Sequence, residues 1–175
     1  MDGGPSEKAV AKFLAYFELV KAGYLAETNA QLEMYKPTDE ACLSEKFELM
    51  WASERTGAAF VAELMNVLVW GQCLGNGNHR TSTLFVRTFL EWAGVEFPSP
   101  TIQNFSVELD VWINRSQALI RRRGEPGFAQ ARLAPKHQEI TEKWVNEMLA
   151  GQSAALTMVG SQRLMDFISH SETRG

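Results

Sequence analysis

A chain of 175 residues with 45% hydrophobic and 22% charged side chains carries enough apolar material to bury one sizeable core, which excludes wholesale disorder and low complexity. Its formal net charge of −4 argues against the basic face that non-specific nucleic-acid binding needs. The opening MDGGPSEKAV places an acidic residue second and has no apolar run, so no secretory leader is expected.

In chain order, the first helix is expected to open at Ser6, whose hydroxyl can cap it, and to bury a stripe of Phe13, Tyr16, Phe17 and Val20. Lys36-Pro37-Thr38-Asp39 breaks the next helical stretch. Residues 40–55 resume it with Leu43, Phe47, Met50 and Trp51 on one side, and Thr56-Gly57 ends it. Residues 58–73 are apolar on nearly every side, the pattern of a helix packed in the middle of a bundle. Glu63, Asn66 and Gln72 interrupt that window before it reaches the roughly 20 residues of a bilayer span, so no membrane association is expected.

After a polar loop, residues 81–93 form a helix with Leu84, Phe85, Phe89 and Trp92 inward and Gly94 closing it. Phe97-Pro98-Ser99-Pro100 forbids its continuation. Residues 106–122 present Leu109, Trp112, Ile113, Ser116 and Ile120 on one helical face. The cluster Arg121-Arg122-Arg123, just before Gly124, suits a solvated helix C-terminus, with a phosphate contact as the alternative. GEPGFAQARLAP reads as a loop, and helices over 136–150 and 154–168 finish the chain before SHSETRG frays. No stretch alternates like a strand and no repeat is present, so the expectation is one all-α domain over 1–175, a helical bundle around the central apolar helix.

The two cysteines, Cys42 and Cys73, form no C-x-x-C pair and have no histidine at zinc-ligand spacing, so neither a metal site nor a disulfide framework is signalled. A reduced, cytoplasmic setting is the corresponding expectation.

The stretch most suggestive of chemistry is the loop Gly71-Gln72-Cys73-Leu74-Gly75-Asn76-Gly77-Asn78-His79-Arg80-Thr81-Ser82. Gly75 and Gly77 allow backbone conformations closed to other residues and a close approach to a ligand. Asn76 and Asn78 tolerate left-handed backbone and offer side-chain donors. A helix N-terminus with Arg80 in its first turn makes electrostatic sense with an anion between the guanidinium and the positive dipole end. Spacing alone leaves a plain helix-helix turn equally open.

At these residues the sequence resembles the Fic/Doc family, whose signature is H-x-F-x-D/E-G-N-G/K-R. Gly77-Asn78-His79-Arg80-Thr81-Ser82 aligns with the Doc-like G-N-K-R-T-A, which places Leu74 at the signature aromatic, Gln72 at its histidine and Asn76 at its acid. RTSTLFVRTFLEWAGVEF resembles the helix that follows the motif, and the resemblance is clear over residues 58–97. It implies a loop that holds nucleotide phosphates, an acid that binds Mg²⁺ and a histidine that deprotonates a target hydroxyl, usually to move AMP. Gly75, Asn76, Gly77, Asn78, His79, Arg80 and Thr81 are then the phosphate-binding candidates.

Three departures change the expected chemistry. Gln72 cannot act as a general base, a loss worth on the order of 10² to 10⁴ in rate. Asn76 offers Mg²⁺ only a neutral oxygen, so a metal site is not expected and Mg-assisted nucleotide binding is weakened. Thr83 stands where many members carry a second arginine, although Doc-like members also lack it. Standard AMP transfer is therefore not expected. His79 as a replacement base and Cys73 as a nucleophile are the remaining catalytic candidates beside Gln72; the alternatives are an exposed loop histidine without a role and an inert core thiol. The other histidines, His137 and His170, lie far along the chain, and no inhibitory S/T-x-x-x-E-G/N motif is recognisable. The expected function is an enzyme acting on a phosphorylated or anionic small molecule by a non-standard mechanism. The alternative is an inactive Fic-like module that binds a nucleotide or a protein partner.

Overall fold

The computed structural model describes residues 4–95, 118, 135–149 and 153–170, which are mostly helical and include no strand. The chain expectations for residues 97–100, for the helix over 106–122, for Arg121-Arg122-Arg123 and for the loop leading up to Pro135 lie outside the described residues.

Helix α1 spans Pro5–Thr28 and starts earlier than Ser6 would dictate, because Pro5 needs no donor at the first helical position and the Glu7 carboxylate accepts from the Gly4 amide at 3.0 Å. Ser6 instead accepts from the Trp51 indole at 3.1 Å and ties α1 to α2. Of the expected stripe, Phe13 and Phe17 are buried while Tyr16 and Val20 are half-covered. Helix α2, Glu40–Trp51, is capped by Asp39, whose carboxylate accepts from the Cys42 amide at 2.9 Å. It stops short of residue 55, since Ser53 leaves the helix to donate to the Glu63 carboxylate.

Helix α3, Gly57–Gly71, is the apolar central rod and packs against α2 and α4 (Asn78–Trp92). Helix α4 begins three positions before the expected residue 81, which puts His79 and Arg80 inside its first turn. Its core positions are Phe85, Val86, Phe89 and Leu90, with Leu84 and Trp92 half-covered, and Gly94 closes it at φ 82°. Helices α5 (Pro135–Met148), α6 (Ser153–Thr157) and α7 (Ser161–Ser169) complete the described chain. A single helix over 154–168 is not what forms. Val159 turns its carbonyl to the Gly57 amide at 2.8 Å and Gly160 pairs with Thr56 in an isolated antiparallel bridge, so residues 158–160 separate α6 from α7.

Packing explains why α3 has almost no polar face. It is covered by α2, α4, α5 and α6, while α1 closes the other side against α2, α4 and α7. Phe13, Phe47 and Phe85 meet edge to face with centroids 5.4 to 6.1 Å apart, and Phe167 of α7 adds a fourth ring 5.6 Å from Phe85. Each such buried ring contributes roughly 1.5 to 3 kcal/mol. The polar interruption Asn66 is satisfied across the α3–α5 seam: its carbonyl oxygen accepts from the Thr141 hydroxyl at 2.8 Å, and its amide donates to Gln138 at 3.3 Å. Gln138 in turn donates to the Ala59 carbonyl at 2.8 Å. Among the described residues no helix is long and apolar enough to cross a membrane.

Candidate functional site

The site begins where α3 ends. Gln72 takes a left-handed conformation at φ 53°, unusual for a residue with a side chain. Its amide folds back to donate to the Val69 carbonyl at 2.7 Å, so the Gln72 side chain closes the helix end.

Cys73 follows, and here the reading of two separate thiols is corrected. Cys42 and Cys73 form a disulfide with their Cα atoms 5.6 Å apart. The pairing is invisible to spacing because the partners are 31 residues apart and meet only once the first turn of α2 packs beside the end of α3. No thiol remains at position 73, so the nucleophile reading is withdrawn. The ground for expecting a reduced compartment goes with it.

The loop itself is built from side-chain bonds. Asn78 is buried and clasps Leu74, accepting from its amide at 2.9 Å and donating to its carbonyl at 3.0 Å; the same amide reaches the Gln72 side-chain oxygen at 3.5 Å. Asn76 donates to the Glu33 carbonyl at 2.9 Å and accepts from the Gly77 amide at 2.7 Å. Gly77 is left-handed at φ 75°, the freedom expected of it. Gly75 uses its freedom differently, against protein: a Cβ there would overlap the Lys36 carbonyl oxygen. Thr81 is buried and its amide donates to the Gly77 carbonyl at 2.9 Å. Gly75, Thr81 and the Asn78 side chain therefore shape the loop from behind.

Facing the loop is the segment between α1 and α2. The Lys36 ammonium donates to the Gln72 carbonyl and the Asp39 amide donates to the Cys73 carbonyl at 2.8 Å. Between these two segments lies a pocket of about 320 Å³ lined by Tyr24, Leu32 and Tyr35 on one side and by Gln72, Asn76, Gly77, Asn78, His79 and Arg80 on the other. Arg80 is exposed, with its guanidinium 5.5 Å from the Tyr24 ring centroid. The His79 ring packs edge-on against Trp70 at 5.8 Å, and Trp70 meets His137 at 6.4 Å, so the two histidines that are distant in sequence share one indole.

Electrostatically, the first-turn amides of α4 lack intrahelical acceptors and present the positive end of the helix beside Arg80. The Gly77 amide, just before that turn, is already engaged by Asn76. None of the described residues that line the pocket carries a carboxylate. Mg²⁺ does not fit this donor set, because the side-chain oxygen of Asn76 is turned to the Gly77 amide, and no cluster of three or more His, Cys, Asp or Glu among the described residues could hold a metal. Sequence reading missed the Tyr24, Leu32 and Tyr35 wall; its one signal was an exposed aromatic, Tyr35, next to Lys36-Pro37 in an otherwise polar stretch.

Residues 4–122, more than half of the chain, match a family model described as "Family of unknown function (DUF8172)". No curated protein and no solved structure matches the chain.

Proposed function

The chain belongs to the DUF8172 family, and we propose that its pocket at the start of α4 binds a small phosphorylated or otherwise anionic molecule, as a diverged Fic/Doc-like cradle. The observation that carries this reading is the coincidence of Arg80, the N-terminal end of α4 and a lining without carboxylates among the described residues, in a protein whose net charge is −4. A concave site with that polarity attracts anions against the field of the whole molecule.

The geometry favours binding over nucleotide transfer. Gln72 caps α3, Asn76 holds Glu33 and Gly77, and Cys73 is bridged, so none of the three is set up for the family's chemistry. His79 is the lining residue whose type titrates near neutral pH, and a non-standard reaction in this pocket would use it to move a proton. The second reading, a Fic-like module that binds without turnover, draws on those same engaged side chains.

Titration with inorganic phosphate tests the proposal. Phosphate should raise the melting temperature of the native protein and leave that of Arg80→Ala nearly unchanged. An equal rise in both would exclude the pocket as the binding site.

A further inference from the structure

The pocket has two walls, and a single covalent bond ties the segments that carry them. One wall comes from the end of α1 and the segment before α2; the other is the loop from α3 into α4. Among the described residues three hydrogen bonds join the segments, Lys36 to the Gln72 carbonyl, Asp39 to the Cys73 carbonyl and Asn76 to the Glu33 carbonyl. The Cys42–Cys73 disulfide is the fourth connection. It sits at the edge of the site: Cys73 adjoins the lining residue Gln72, and Cys42 is in the first turn of the helix that the Lys36–Asp39 stretch feeds.

We propose that this disulfide is a redox latch that holds the two pocket walls together and is opened by a dithiol reductant. Cys42 is partly exposed while Cys73 is 3% exposed, so the Cys42 sulfur is the point of attack. A reductant thiolate bonds to the Cys42 sulfur, the S–S bond breaks, and Cys73 leaves as a thiolate that takes a proton. The reductant's second thiolate then attacks its own bridged sulfur, closing the reductant's disulfide and releasing the Cys42 thiolate, which takes the second proton. Two electrons and two protons reach the protein, and the dithiol is oxidised. With the latch open, the segment that carries Tyr35 is held to the loop by those hydrogen bonds and by the packing of Gly75 on Lys36, and it separates from Arg80 more readily.

The ligand arm of the test rests on the anion reading; the exchange arm does not. Alkylation followed by mass measurement should find no free thiol in the native protein and two after dithiothreitol. Amide hydrogen exchange should then rise at least tenfold at Asp39 on reduction, with helical circular dichroism unchanged, and the phosphate dissociation constant should rise about fivefold to tenfold. Re-oxidation should restore both values, and Cys42→Ser, with Cys73→Ser as a second variant, should match the reduced state. Two free thiols in the native protein would overturn the latch. So would unchanged exchange and affinity, or lost helicity on reduction, the behaviour of a bond without which the helices do not stand. Local exchange that responds to reduction in a protein binding no phosphate in either state would support the latch and overturn the anion reading.

Discussion

Gly75 packs so tightly on Lys36 that a Cβ at position 75 would stand 1.9 Å from the Lys36 carbonyl oxygen and 2.7 Å from the Met34 methyl. Backbone against backbone cannot give way as a flexible side chain can. Gly75→Ala should therefore destabilise the protein by at least about 2 kcal/mol in urea unfolding, through overpacking. Gly23→Ala is the control, since nothing lies within 4 Å of that position in the middle of α1; it should stabilise by up to roughly 1 kcal/mol. Equal effects of the two substitutions would contradict the close approach.

The disulfide closes a loop across a sequence separation of 31. Chain-entropy arithmetic for a loop of that size gives about 3 to 4 kcal/mol of stabilisation by constraint of the unfolded chain. Cys42→Ser should lower the urea midpoint correspondingly under non-reducing conditions and change nothing further when a reductant is added. A residual effect of reductant on Cys42→Ser would mean that another group responds.

Anion binding should need no divalent cation. Phosphate affinity measured in excess EDTA and in millimolar Mg²⁺ should agree within about twofold, because none of the described lining residues carries a carboxylate and the Asn76 oxygen already accepts from Gly77. A tenfold gain with Mg²⁺ would show a metal site that the described residues do not supply.

Introducing a histidine at position 72 and an acid at position 76 should not produce nucleotide transfer. Gln72→His removes the donor to the Val69 carbonyl and Asn76→Asp removes the donor to the Glu33 carbonyl, at roughly 1 kcal/mol or more for each bond lost. Radiolabelled ATP should leave neither the native protein nor the double variant labelled. Labelling of the double variant that disappears when Arg80→Ala is added would mean that the loop keeps a nucleotide transferase geometry.

Asn66→Ala should cost about 2 to 3 kcal/mol, more than a surface substitution, because it removes an acceptor of the Thr141 hydroxyl on the neighbouring helix and a partner of Gln138 in the α3–α5 seam. A double-mutant cycle with Thr141→Val should show coupling of at least 0.5 kcal/mol between the two positions. Additive losses would place the bond outside the energetics of the seam.

What the sequence made legible follows from the range of the forces involved. The Phe13/Phe17 stripe, the all-apolar α3 and the Gly94 stop depend on neighbours within a few positions, and they stand where periodicity puts them. The break between α6 and α7 was hidden because its cause is Gly57 and Thr56, far back in the chain. The same holds for Cys42 with Cys73 and for the Tyr24/Tyr35 wall, which only tertiary packing brings to the loop. Gly75 and Asn78 were recognised as special residues, but their work is to hold the loop together, a distinction that residue type cannot express.

The seam between α3 and α5 also sets the smallest piece of this chain that can stand alone. Val61 and Met65 of α3 share one apolar crevice with Trp144, Val145 and Met148 of α5, and Phe167 of α7 rests on Phe85, Phe89 and Trp92. A chain cut before Pro135 would keep every residue of the pocket and still turn that side of α3 to water, leaving the Gly57 amide, the Ala59 carbonyl and Asn66 without the partners that now satisfy them. Such a fragment would self-associate through the bared helix. The part of the molecule that lines the pocket is thus smaller than the part that can be made, stored or inherited as a working unit, and α5 to α7 are inseparable from a pocket that none of their described residues lines.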